Sequence, residues 1–328
     1  MQVRELQDGC RIETALLVQG VETRRRREGG GREDGEYLKL TLGDRTGSVP
    51  AVVLEEVDAA RTVCTPGGVV HVFGSFETHP RFGGRVVVEA IREAGDGEYE
   101  LQHLLDGPAH PAAQMESDLR ELVATVQDPD LRRLLAAMFG EDSPTWARFR
   151  EAPAAKHYHQ AYRHGLLEHC LGVAQAVSAI SATFPGIDRD VAVTGALLHD
   201  VGKLDVYELA GSAIEMSDQG RLYGEIALGY YRVRNMIESL DGFPAETAQA
   251  VLHIILSHHG SLEFGSPVIP CTREATLVHM IDNLGGRLGS FDRIEKALPA
   301  GAQWSAFDKG IGGGAYFAAP AVGQRRAA

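Results

Sequence analysis

Residues 195–204 read GALLHDVGKL, and the adjacent His199 and Asp200, at the polar end of this apolar helical run, decide the reading of the chain. His169 lies upstream in LLEHCL (166–171). His258 and His259 follow in ILSHHG (255–260), and Asp282 comes later in VHMIDNLGG (278–286). Each sits in apolar sequence, where an unpaired ionisable group is costly to bury. Imidazole and carboxylate together suit a divalent transition metal or a mixed Mn/Mg-type site. A metal is the cheapest way to make so many buried polar side chains tolerable.

Outward from this stretch, residues 151–300 read almost entirely as helices, with apolar residues recurring at i, i+3/i+4. His169 falls inside one helix, His199 and Asp200 end a second, His258 and His259 end a third, and Asp282 lies within a fourth. Four helices that converge from their inner faces are a common way to build a metal site. Neighbours on a helix point about 100° apart. Adjacent His-Asp or His-His pairs therefore both ligate only near a helix end, or by serving two metals. The pairs suggest a dinuclear centre with Asp200 as the bridge. His253 and His279 read as ordinary structural histidines, with His279 placed to support Asp282 from one turn away. Lys203, one turn after the His-Asp pair, is placed to meet a phosphate.

Residues 1–95 read differently. CRIETALLVQGVETR (10–24) is β-rich, YLKLTL (37–42) alternates with period two, and GDRTGSVPAVVL (43–54) continues after a turn. EEVDAARTVC (55–64) suits a short helix, and residues 69–91 read as two strands around Gly83-Gly84. Five strands and one helix in this order predict an OB-type β-barrel. The charged run at 24–36 reads as a hairpin loop. Residues 96–150 read as a linker and helical connector. Residues 301–328 form a Gly/Ala-rich tail without periodicity. The fold class is thus a β-barrel followed by an all-α domain.

Composition excludes several classes. The net charge is −13, with 13 Lys+Arg against 15 Asp+Glu in residues 1–95, which argues against strong nonspecific duplex binding. A strand held in a local groove remains compatible with it. The four cysteines are far apart, without a CxxC pair, which fits a reducing cytoplasm rather than a disulfide framework or a zinc ribbon. No 18-residue apolar run and no signal-peptide core is evident, so no membrane association is expected. Neither a P-loop nor a dinucleotide fingerprint is present.

The order H…HD…D, with HDVGK at its centre, resembles the HD-domain superfamily of metal-dependent phosphohydrolases. AYRHGLLEH (161–169), ALLHDVGKL (196–204), ILSHHGSLEFGSPVIP (255–270) and EATLVHMIDNL (274–284) resemble the YhaM-type 3'-5' exoribonucleases, which carry an OB-fold before their HD domain. The resemblance implies that His169, His199, Asp200 and Asp282 are core metal ligands, and that His258 and His259 hold a second metal. Where dinuclear members commonly place a His in a GHI-like segment, this chain has Glu225 in GEIALG. His164 stands where the pattern has Gly, and with His159 is placed for a phosphate contact. The implied cofactors are one or two divalent ions per chain: manganese first, with magnesium, cobalt, iron(II) or nickel as alternatives.

The implied chemistry is hydrolysis. Metals supply a hydroxide near neutral pH, and they and Lys203 neutralise charge on the phosphoryl oxygens. Attack on the last phosphodiester releases a nucleoside 5'-monophosphate. The barrel would grip the strand with Tyr37, Phe73, Phe76 and Phe82 as stacking rings and with Arg81, Arg85 and Arg24–Arg27 on phosphates. The expected partner is single-stranded RNA, with single-stranded DNA as a second substrate and a homo-oligomer as the protein assembly. Two other readings compete: an HD phosphohydrolase acting on nucleotides or cyclic nucleotides, and a nonenzymatic single-strand-binding module with a degenerate metal site. A barrel has little use in a nucleotidase, and the intact H…HD…D set argues against the second.

Overall fold

The computed structural model describes residues 1–25, 35–79, 83–156, 160–210, 213–298 and 302–318. The expectations for Arg26, Arg27, Arg81, Phe82 and His159 fall outside these residues. The chain divides into two compact units, Met1–Asp106 with Phe291–Ala328, and Gly107–Ser290.

In the first unit, β1 (Arg11–Arg25), β2 (Glu36–Asp44), β3 (Gly47–Val53), β4 (Val69–His79) and β5 (Gly83–Glu93) close a barrel in the order β1-β2-β3-β5-β4. The pairings are antiparallel except β3 with β5, which run parallel. Helix α1 (Val57–Val63) connects β3 to β4. This is the five-stranded Greek-key arrangement that the sequence predicts. Its core follows from strand period: Leu38, Leu40 and Leu42 are fully buried, while Lys39 and Thr41 between them face outward. Pro50 pairs with Thr41 of β2 at a level of β3 below its bonds to β5, where its missing N–H costs no ladder bond. Gly74 faces the irregular register of β5, and a Cβ there would lie 2.2 Å from the Val87 carbonyl oxygen. That close approach lets the sheet curl.

The barrel corrects one expectation and refines four. Phe76 is 5% exposed and packs in the barrel core with Val70, Val72 and Val86, so it is no stacking ring. Its parity along β4 is that of Val70 and Val72, a period-two signal that assigns it to the interior. Phe73 lies on the opposite face, half-buried beside the His71 ring at 4.8 Å, and Tyr37 is also half-buried. Arg85 stands 3.8 Å from Glu77, and Arg24 pairs with Glu22 at 2.6 Å, so each guanidinium already has an acidic neighbour.

The second unit holds α3 (Ala112–Ala124), α4 (Pro129–Phe139), α5 (Pro144–Phe149), α6 (Gly165–Ser181), α7 (Arg189–Leu198), α8 (Asp218–Glu238) and α9 (Ala245–Ser257), after the short α2 (Leu101–Leu104) of the first unit. The long α10 spans Arg273–Ala297. Asp128 and Asp188 cap α4 and α7 by accepting backbone N–H bonds at 2.9–3.1 Å. The domain boundaries differ from those expected. Met115, Leu119, Leu134, Phe139, Trp146 and Phe149 join one core with Leu166, Val173 and Leu197, so residues 107–150 are not a connector but part of the helical unit. The tail differs too. Residues 302–318 make a tight turn, with Ser305 N–H donating to the Ala315 carbonyl and Asp308 N–H to that of Gly313, both at 2.9 Å. Gly/Ala composition hid it because a turn closed by backbone bonds needs no side-chain periodicity.

Candidate metal centre

His169 occupies a core position of α6, in line with Leu166, Cys170, Val173 and Val177. His199 caps α7, and at Asp200 the helix tightens into a 3-10 turn over Val201–Asp205. His258 caps α9. Both His-containing pairs thus sit where a helix ends, as adjacent ligands require. Two helix C-termini, each the negative end of a helix dipole, favour a cation at this point.

The side chains converge. His169 Nε2 lies 3.2 Å from His199 Nε2, 3.2 Å from Asp200 Oδ2 and 3.1 Å from Asp282 Oδ1. His199 Nε2 lies 3.3 Å from Asp200 Oδ2 and 3.7 Å from Asp282 Oδ1, and His258 Nε2 lies 3.5 Å from Asp200 Oδ1. At the more open side, His259 Nε2 is 3.7 Å from Glu225 Oε1, each side chain 27% exposed. Lys203 Nζ meets Asp200 Oδ2 at 2.7 Å. His164 is not part of this cluster. It caps α6 in a left-handed conformation, φ 69°, with its Nδ1 on the Arg150 carbonyl.

The rings are oriented from behind. His199 Nδ1 donates to the Ala196 carbonyl at 2.7 Å, His258 Nδ1 to that of Ile255 at 2.8 Å, and His259 Nδ1 to that of Phe264 at 2.8 Å. Each bond commits the proton to Nδ1 and turns the Nε2 lone pair to the centre. His169 differs, because its Nδ1 meets a side chain, Gln160 Oε1, at 3.1 Å. Gln160 Nε2 donates in turn to Glu168 at 3.4 Å, which fixes which end of the amide faces the ring. His279 Nδ1 donates to the His258 carbonyl at 2.7 Å, so it steadies His258 rather than Asp282.

The electrostatics call for positive charge. Burial opposes the ionised forms of Asp200 and Asp282. Lys203, His199 and His169 outweigh that for Asp200, as do His169 and His199 for Asp282, and both carboxyls stay well below the usual range. Burial lowers the imidazoles, yet the two carboxylates raise His169 and hold His199 at about 10. Burial pushes His258 down, leaving it neutral. Among the described residues, Asp200 Oδ1 and His258 Nε2 are buried with no hydrogen-bond partner. Such orphaned atoms are expensive unless something binds them. Two overlapping sets, His169/His199/Asp200 and His199/His258/Asp282, present ligand atoms within 4.8 Å of one another. Converging nitrogen and oxygen donors, with carboxylates that draw positive charge onto His169 and His199 and a divalent ion able to replace those protons, fit a metal site.

Three supporting features leave no signal in the sequence. The Gln160 contact joins a loop to a helix. The carbonyl latches depend on backbone course alone. α8 breaks at Gly224, φ 74° and ψ 157°, immediately before Glu225. Gly224 supplies a conformation that a side chain would resist.

Residues 166–286 match the family model of the HD domain. The chain is 28% identical over 294 residues to a protein named 3'-5' exoribonuclease YhaM from Geobacillus sp. (strain WCH70), covering 89% of this chain and 87% of that one. It is 29% identical over 266 residues to the protein of the same name from Bacillus velezensis, and 28% identical over 266 residues to that from Bacillus subtilis (strain 168). Each of these two matches covers 80% of this chain and 82% of the relative.

Proposed function

We propose, from the HD domain in residues 166–286, that this chain is a metal-dependent 3'-5' exoribonuclease that hydrolyses single-stranded RNA to nucleoside 5'-monophosphates. The observation that carries the reading is the convergence of His169, His199, Asp200 and Asp282 around orphaned, buried ligand atoms. The similarity to relatives named as exoribonucleases over most of both chains supports the polymer substrate, and the closed barrel supports a single strand as the form bound.

His169, His199, Asp200 and Asp282 would hold a first divalent ion, and His258, His259 and Glu225 a second, with Asp200 shared. Manganese is the first choice. Bound there, such ions supply Lewis-acid charge and an acidified water near neutral pH. The chain's own residues do the rest. The carbonyl latches and Gln160 keep the imidazole lone pairs aimed inward. Burial excludes bulk water and strengthens each charge interaction. Lys203 holds Asp200 ionised, and its remaining N–H donors are placed to take a phosphoryl oxygen. His258, neutral through burial, is ready to ligate without first losing a proton. On the barrel, Tyr37, Phe73 and Arg85 remain the strand-contacting residues of this reading.

No helix among the described residues is long and apolar enough to cross a membrane. Well-separated cysteines support a cytoplasmic location.

The test is direct. Purified protein is incubated with single-stranded RNA, and separately DNA, labelled at the 5' end, with manganese, magnesium, cobalt or a chelator. A ladder of shortening 5'-labelled fragments with mononucleotide products, lost on chelation, is expected. Turnover of free nucleotides without shortening of RNA would instead favour the nucleotide phosphohydrolase.

Gln160 gives a narrower prediction. Removing a group that orients a metal-ligating His commonly costs about 10–100-fold in metal affinity. Gln160→Ala is expected to weaken manganese binding by that factor in a calorimetric titration, and Gln160→Met, which fills the space without an acceptor for Nδ1–H, to weaken it likewise. Wild-type affinity in Gln160→Ala would remove Gln160 from the account.

A further inference from the structure

The centre is not equally open on all sides. The His199 and His258 side chains are fully buried and Asp200 is 2% exposed, whereas Glu225 and His259 are each 27% exposed. Asp282 lies between, 19% exposed, so among the described residues of the cluster the Glu225–His259 edge is the most open to an arriving strand end. Each residue of that edge has an exposed aromatic side chain close to it, by chain or by hydrogen bond. Beside Glu225, Tyr223 is 61% exposed and joins it through Gly224. Beside His259, Phe264 is 66% exposed and its own carbonyl accepts the His259 Nδ1 proton at 2.8 Å. The Phe264 backbone is held in place. It lies in a 3-10 turn over Leu262–Phe264, Gly265 N–H donates to the Leu262 carbonyl at 3.1 Å, and Ser266 N–H returns to Ser261 at 3.2 Å. A fixed backbone presents an aromatic ring to solvent beside the entrance of a phosphodiester site.

We infer that Phe264, with Tyr223 beside Glu225, forms a stacking subsite for the nucleobase of the 3'-terminal nucleotide. The inference rests on the exonuclease reading above and adds where the leaving nucleotide's base is held. Every base has a π-face, so the subsite would accept all four bases, as an exonuclease acting on mixed sequence needs. Holding that base fixes the scissile phosphate against the ions, which converts binding into alignment. The rigid turn means little order has to be gained when the base arrives.

Two oligoribonucleotides test it, identical except that one ends in a 3'-terminal abasic residue. Initial rates of terminal cleavage in manganese are measured for wild type, Phe264→Ala and Phe264→Tyr. The wild type is expected to favour the complete strand by about 5–150-fold in kcat/KM, the range of one base–aromatic stack. Phe264→Ala is expected to lose most of that preference by slowing only on the complete strand, and Phe264→Tyr to keep it. Because Phe264 is exposed, Ala should leave the thermal midpoint unchanged, and Phe264→Leu, apolar but without a π-face, should behave as Ala does. Equal wild-type rates on the two strands, or full preference in Phe264→Ala, would overturn the subsite while leaving the exonuclease intact. No cleavage of either strand by wild type would overturn both.

Discussion

Asp200→Ala is expected to lower kcat/KM for RNA hydrolysis by about 10³-fold or more, while single-strand binding by the barrel survives. The size follows from how much one carboxylate does. Asp200 Oδ2 is 3.2 Å from His169, 3.3 Å from His199 and 2.7 Å from Lys203, and Oδ1 is 3.5 Å from His258. In the proposed function it is the ligand shared by two ions, and metal charge supplies several kcal/mol of transition-state stabilisation. Its loss also leaves the largely buried Lys203, its side chain 14% exposed, without the partner that offsets its desolvation, so some stability is lost as well. Asp200→Asn, which keeps the volume and removes the charge, separates the two effects. Both variants are compared with wild type by steady-state kinetics, RNA binding and thermal melting. An Asp200→Asn enzyme that melts normally yet retains more than about a tenth of the rate would contradict the assignment.

Gly202→Ala is expected to destabilise the helical unit by about 3 kcal/mol, the upper part of the range for overpacking. A Cβ at Gly202 would lie 2.0 Å from the Glu225 carbonyl oxygen and 2.5 Å from the Gly229 backbone N. Both neighbours are main chain, so no side chain can swing away and α8 itself must shift. For a unit of this size each kcal/mol corresponds to about 2–4 °C, which gives a fall of about 6–12 °C in Tm. The shift would also displace Glu225, so the loss of activity should exceed the loss of folded protein. Gly172→Ala is the control. Gly172 is exposed within α6 and a Cβ there meets nothing within 4 Å. That variant should gain about 0.5–1 kcal/mol from helix propensity. An unchanged melt for Gly202→Ala would show that the 3-10 turn and α8 are not packed this closely.

The parts of this molecule that could be read from sequence are those whose physics is periodic. His169 could be placed on a buried helix face because Leu166, Cys170, Val173 and Val177 recur at helical spacing around it. The strands of the barrel followed from alternation in YLKLTL. Phe76 shows where such a signal was present and unused, since it shares the parity of Val70 and Val72. Domain boundaries were harder, because the apolar faces of α3 to α5 show that these helices pack somewhere without saying on which unit. Gln160 was illegible for another reason. Its value to His169 arises from a positive φ of 58° and a loop path that no residue pattern encodes. The left-handed His164 cap likewise depends on φ, not on residue type.

Binding of divalent ions by the cluster is measured without reference to any substrate by manganese titration of the full chain, by calorimetry and by bound-metal analysis after dialysis. Wild type is expected to retain one or two manganese ions per chain, with protons released from the His169 and His199 imidazoles on binding, and Asp200→Ala to retain none. A folded wild-type protein that retains no manganese, magnesium, cobalt, iron or nickel at saturation, or an Asp200→Ala variant that binds as wild type does, would contradict the metal centre.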